Sequence, residues 1–186
     1  DGKKRQKYNI SFTDEAGEIK HPIILHNSPS GGLERVLWGL IETAIRESDQ
    51  YVPGFKTWLS PIQARILTIS QDQHEYAEQL LDKLNRAGFR VDYDDRDESV
   101  GKKIRRAEIE WIPYTIIVGG KEEEAQTVFV RKRRIGEELG AKKRTSQQIN
   151  NIPLEELINM MEEDTRGYPK YKLPRPFRRF STKVSF

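Results

Sequence analysis

Ala64-Arg-Ile-Leu-Thr-Ile-Ser70 is followed by Glu75-Tyr-Ala-Glu-Gln-Leu-Leu-Asp-Lys-Leu-Asn-Arg-Ala87 and then by Phe89-Arg-Val-Asp-Tyr93. This succession is the pattern of an α/β domain. The first segment reads as a short buried strand. The second places Tyr76, Leu80, Leu81 and Leu84 on one helical face, with Gly88 as the stop behind it. The third is a strand again. Strand, helix, strand with short connections predicts parallel pairing through a crossover. The alternation continues beyond an acidic loop, Asp94 to Glu98. A helix is expected over Val100 to Trp111, a buried strand over Tyr114 to Val118 ending at Gly119-Gly120, and a strand over Thr127 to Val130 after a short acidic turn. The pair spanning Tyr114 to Lys132 is hairpin-like, so one edge of the sheet is expected to be antiparallel. A last helix, Pro153 to Glu163, turns Leu154, Leu157, Ile158 and Met161 inward. The expected domain is α/β, with a mixed, mainly parallel sheet flanked by helices.

Upstream the pattern differs. Asn9 to Phe12 and Pro22 to His26 read as strands around the turn Asp14 to Gly17. Leu33 to Arg46 reads as a helix with Val36, Leu37, Leu40 and Ile41 on a buried face and Ser30 as its N-cap. Glu47 to Thr57, with Pro53-Gly54, is a linker by composition. Residues 1–57 are therefore expected to be separate from an α/β domain over residues 58–186.

The 186 residues contain no cysteine, which excludes a disulfide framework and a thiolate metal site within this stretch. No apolar run reaches the roughly 18–20 residues of a membrane span, and the opening DGKKRQKYN has no apolar core of a signal peptide. A cytoplasmic protein with no membrane association is the expectation. The formal net charge is only +3, but cations are clustered. Arg131 to Arg134, Lys142 to Arg144 and a tail from Gly167 bearing Lys170, Lys172, Arg175, Arg178, Arg179 and Lys183 alternate with aromatics. That pattern points to nucleic acid, with a plain solvated basic surface as the alternative.

The loop Ser28 to Gly32 runs into a helix with Arg35 in its first turn. Backbone N–H groups at a helix start and a forked guanidinium suit a phosphate, or else form an ordinary capped helix. His26, just before it, is a candidate zinc ligand with no His or Cys partner in spacing. His21 and His74 have no supporting pattern and are read as structural. The loop Asp94 to Arg105 lacks the spacing of a calcium loop and reads instead as a recognition loop, with Lys102, Lys103 and Arg105 reaching an anionic ligand. No nucleophile–base arrangement and no carboxylate pair for acid–base chemistry stands out, so the α/β region reads as a binding module.

Taken together, these segments resemble a known family. HPIILHNSPSGGLERVLWGLIE is similar to motif 3 of the class II aminoacyl-tRNA synthetases. TWLSPIQARILTIS, FRVDYDDRDESVGKKIRRAEIEWIPYTIIVGGKE, TVFVRKRR and RPFRRFSTKVSF resemble the anticodon-binding domain of the threonyl-tRNA synthetases, archaeal type. The resemblance implies that Arg35 contacts the ATP phosphates and stabilises charge as the adenylate forms. It makes His26 one of three zinc ligands that read threonine, and Gly31 and Gly32 part of the same pocket; Gly32 stands where many bacterial members have serine. It makes Arg105, Glu122 and Arg131 contacts to anticodon bases, with Asp97 standing where bacterial members have asparagine.

The implied function is threonine–tRNA ligation in the intact protein, an enzyme using ATP, Mg2+ and Zn2+, partnered by tRNA-Thr and by a second copy in a homodimer. This chain has no motif 1 or 2 and no second or third zinc ligand, so alone it is expected to hold tRNA without aminoacylating it. It is expected to be either a fragment of a longer enzyme or a truncated relative. A non-catalytic tRNA-binding subunit, working with a separate editing or synthetase protein, is the alternative.

Overall fold

In the computed structural model the described residues are 8–28, 31–46, 48–139 and 145–171. They fall into two compact units, one ending at Ile41 and one starting at Glu42. Residues 42–57 gather with the second unit because they are anchored there. Val52 is buried, exchanges backbone hydrogen bonds with Glu137 and Gly136, and is followed by Pro53, whose carbonyl accepts from Arg133 Nε at 2.9 Å. The expected linker is thus packed chain.

The first unit holds a two-stranded hairpin, β1 (Phe12–Thr13) and β2 (Ile19–Lys20), and the start of α1 (Leu33–Ile45). The turn between the strands is fixed by Asp14, whose carboxylate accepts from the N–H groups of Ala16 and Glu18. The hairpin is shorter and tighter than expected, its first strand starting later and its second lying earlier. Asn9 has φ +49°, which breaks an extended run, so β1 begins only at Phe12. Pro22 to His26 forms no strand: Pro22 has no N–H to donate, and no described strand runs beside the segment. α1 is a helix as expected, but Val36, Leu37 and Leu40 are exposed. Helical periodicity shows that a face seeks cover, not that this stretch of chain supplies it.

The second unit is a five-stranded sheet in the order β4-β3-β5-β6-β7. Its strands are β3 (Ala64–Thr68), β4 (Val91–Asp94), β5 (Tyr114–Val118), β6 (Thr127–Arg133) and β7 (Ser146–Pro153). β3 pairs in parallel with β4 and β5, and β5–β6 and β6–β7 are antiparallel. The mixed sheet and the antiparallel pairing of Tyr114 with Lys132 match the reading of the sequence; the additional strand β7 makes the antiparallel share larger.

Two helices cover one face: α2 (His74–Arg86) and α5 (Leu154–Asp164). Tyr76, Leu80, Leu81 and Leu84 of α2 and Leu154, Leu157 and Met161 of α5 pack on Ile66, Tyr93, Ile116 and Val130. Gly88, at φ +91°, terminates α2 in the left-handed conformation that glycine adopts without cost. The opposite face carries α3 (Val100–Ile109), which packs on β3 and reaches β6 through Glu108 in its last turn. Its Lys103 and Ala107 are buried, and Glu110 just beyond it reaches Arg65. The expected acidic turn after β5 is a short helix, α4 (Gly120–Ala125). Ser30, Lys142 to Arg144 and the tail cations from Lys172 onward lie outside the described residues.

Candidate nucleic-acid interface

Paired residues on adjacent strands point to the same side of a sheet. Registers of the four pairings therefore trace a polar row across the α3 face: Asp92, Arg65, Thr115, Arg131 and Gln148, one from each strand. Its two ends behave differently. Under α3, Arg65 is buried in a fork on Asp92, with Nε and Nη2 each 2.8 Å from a carboxylate oxygen, and Nη2 also lies 2.7 Å from Glu110. Burial opposes the guanidinium charge, but Asp92 and then Glu110 more than offset it and hold its pKa above the ordinary arginine value.

Beyond the reach of α3 the row opens into a cleft of about 690 Å³ lined by Glu108, Arg131, Arg134, Thr145, Ser146, Gln147 and Gln148. Arg131 Nη2 donates to Glu108 Oε1 at 2.6 Å and to Ser146 Oγ at 3.3 Å, and the Ser146 hydroxyl donates to the same carboxylate oxygen at 3.2 Å. Three elements, α3, β6 and β7, thus meet at one guanidinium. Arg131 Nε is buried without a hydrogen-bond partner among the described residues. Arg134 pairs with Glu137 at 2.7 Å. The cleft is polar and nearly charge-balanced, a surface suited to hydrogen bonding of base edges more than to a run of phosphates.

A second set of groups sits at the carboxyl ends of β3, β4 and β5. Asp94, fully buried, is gripped by Arg96, with Nε 2.7 Å from Oδ1. Burial raises its pKa, but the Arg96 hydrogen bond and charge outweigh this and hold it below the ordinary carboxylate value. Lys103 is buried beneath α3 with Nζ 3.4 Å from the Thr68 carbonyl, and burial lowers its pKa. Asp97 and Arg105 are both exposed, Asp97 in the loop before α3 and Arg105 midway along the helix. Glu122 is half-buried and accepts the Gly119 N–H at 3.0 Å, closing the first turn of α4. Thr115, beside Arg131, and Val118, next to Gly119, are three residue steps apart along β5, roughly 10 Å of strand. The expected base contacts are therefore spread from this rim to the cleft rather than gathered in one pocket.

In the first unit Gly31, at φ +80°, is closely approached by Arg35: a Cβ there would lie 2.7 Å from Nη1. The guanidinium is folded back over the start of α1, with Gly32 beside Glu34. His26 is exposed in irregular chain. Among the described residues no three His, Cys, Asp or Glu side chains gather to hold a metal, so His26 offers one ligand and no site by itself.

The profile of the anticodon binding domain family matches residues 63–164, more than half of the chain. The chain belongs to that family. It is 41% identical over 172 residues, 92% of its length, to a threonine–tRNA ligase of Staphylothermus marinus. It is 41% identical over 97% of its length to a threonine–tRNA ligase of Methanobrevibacter smithii. It spans only 26% and 28% of those two proteins. Among solved structures, the RNA binding domain of a threonyl-tRNA synthetase from Cryptosporidium parvum aligns over 89% of this chain and 37% of that one, with a TM-score of 0.58 and 24% identity. A prolyl-tRNA synthetase from the same organism aligns over 86% of this chain and 32% of that one, with a TM-score of 0.53 and 19% identity, and shares the fold.

The cleft brings in residues that the sequence did not single out. Glu108 was hidden in a charged helix, and Ser146 and Gln148 in a polar stretch without apolar alternation. One signal was available: SQQIN directly follows a basic run, the composition of an exposed strand beside cations.

Proposed function

We propose that this chain is the C-terminal portion of a threonine–tRNA ligase, and that its second unit holds the tRNA anticodon loop against the α3 face. The observation that carries the reading is the kinship along nearly the whole chain with threonine–tRNA ligases, joined to an open cleft in which Arg131 is presented among hydroxyl and amide groups. Arg131 reads a base edge there, while Asp97, Arg105 and Glu122 meet the loop along the helix and the rim. In the intact protein, a cytoplasmic homodimer, the reaction uses ATP and Mg2+ to activate threonine before transfer to tRNA-Thr. Arg35 would bring its guanidinium to the ATP phosphates. His26 would contribute one imidazole to a zinc ion whose other ligands come from outside this chain.

Binding and catalysis separate in the test. The purified chain should bind a threonine anticodon stem-loop and give no threonine-dependent ATP–pyrophosphate exchange. Exchange activity in the chain alone, or no preference for that stem-loop over one with a permuted anticodon, would count against the reading.

A further inference from the structure

We propose that Glu108 is a specificity-determining residue of the cleft: its carboxylate accepts a nucleobase N–H beside Arg131 and repels a phosphate from the same position. This rests on the reading of the cleft as the anticodon site.

The inference starts from an oddity of charge. A surface that binds nucleic acid through its backbone collects unpaired lysines and arginines, because each phosphate neutralised releases counterions. Here both arginines lining the cleft are already matched by carboxylates, Arg131 by Glu108 and Arg134 by Glu137. Glu108 is no remnant of core packing, since its side chain is 34% exposed and that of Arg131 is 21% exposed. Its Oε1 takes both Arg131 and Ser146, whereas Oε2 has no hydrogen bond among the described residues. The guanidinium has five N–H donors and commits only Nη2, to Glu108 and Ser146, among the described residues.

With Nε buried and Nη2 committed, the pair offers a ligand one acceptor, Glu108 Oε2, beside the two N–H donors of Arg131 Nη1. A phosphate, which only accepts, satisfies Arg131 and meets the negative charge of Glu108. A base edge carrying both an N–H and a carbonyl or ring nitrogen satisfies both groups. Discrimination by penalising the wrong ligand is the more effective half of specificity when affinity can be drawn from phosphates elsewhere. Gln148, on the same row as Arg131, adds an amide able to donate and accept. Ser146 locks the geometry by accepting from Arg131 and donating to Glu108.

The test compares the full chain with Glu108→Gln and Glu108→Asp, using fluorescence anisotropy against threonine and permuted anticodon stem-loops over a salt series. Glu108→Gln removes the charge and keeps the shape. It should bind the permuted loop several-fold tighter and lower the preference for the threonine loop by roughly tenfold, the scale of one good base contact. The salt slope should steepen by up to about one unit as a phosphate takes the vacated position. Glu108→Asp keeps the charge and should retain weak binding to the permuted loop, which preserves the test if the glutamine variant folds poorly. Equal loss of affinity for both loops at unchanged salt slope would overturn the proposal and leave Glu108 as a support for Arg131 alone. No change in either loop would overturn it as well. If the unaltered chain itself fails to discriminate, the anticodon reading falls, a result distinguishable from the failure of this proposal.

Discussion

At the scale of single residues the α3 face divides charge into two uses. Arg65 and Asp92 are buried together, and removing the Asp92 charge leaves the buried guanidinium with the half-exposed Glu110 as its carboxylate. Asp92→Asn should therefore cost about 3–5 kcal/mol in urea or thermal unfolding. Asp94 shows the pH consequence. Its folded pKa is depressed by Arg96, so its contribution to stability is present above the unfolded value, near 4, and is lost as pH falls through the folded value. Acid titration of stability should fall more steeply below about pH 4 in the unaltered chain than in Asp94→Asn. Arg131 is half-buried on the cleft and should act on binding instead: Arg131→Ala should weaken the threonine stem-loop by roughly 1–3 kcal/mol and spare the permuted one, as a base contact does. An equal loss for both would mark a phosphate contact. Arg131 was legible through the resemblance of TVFVRKRR, but its partnership with Glu108 was not. The two are 23 positions apart, and only the packing of α3 on the sheet joins them.

Among elements, what could be read depended on how each is buried. β3 and β5 are short, mostly apolar runs buried throughout and α2 has one apolar stripe, and their limits followed within a residue or two. β7 did not. It is an edge strand, its residues Ser146 to Asn151 include one apolar side chain, and its register slips between Val128 and Val130 of β6. Hydrogen bonding to β6 defines such a strand, and pairing partners are not a local property. α4 was missed for a similar reason: its six residues, GKEEEA, have no apolar stripe and are held by the bond from Gly119 N–H to Glu122. The expected strand Pro22 to His26 failed in the opposite sense, an apolar run beside which no described strand runs. Two substitutions test the elements that carry the sheet. Leu157→Ala, on α5 and fully buried, should cost about 2–5 kcal/mol. Gly88→Ala should cost about 1 kcal/mol, because a Cβ at φ +91° is strained and would lie 3.3 Å from Lys170 Cδ.

For the molecule as a whole, one sheet with two coverings explains the division of labour. The face under α2 and α5 holds the hydrophobic core and is sealed. The other face is sealed under α3 by the Arg65 network and open beyond it, where the polar row surfaces at Arg131 and Gln148. Family membership, the open cleft and the kinship with threonine–tRNA ligases are the grounds for the proposed recognition of an anticodon loop. The measurement that bears most directly on this is the affinity of the unaltered chain for a threonine anticodon stem-loop and for the same hairpin with its anticodon permuted, at one salt concentration. The account predicts a preference of roughly tenfold or more for the threonine loop, the discrimination expected from one or two base contacts. Equal affinities for the two hairpins would contradict it.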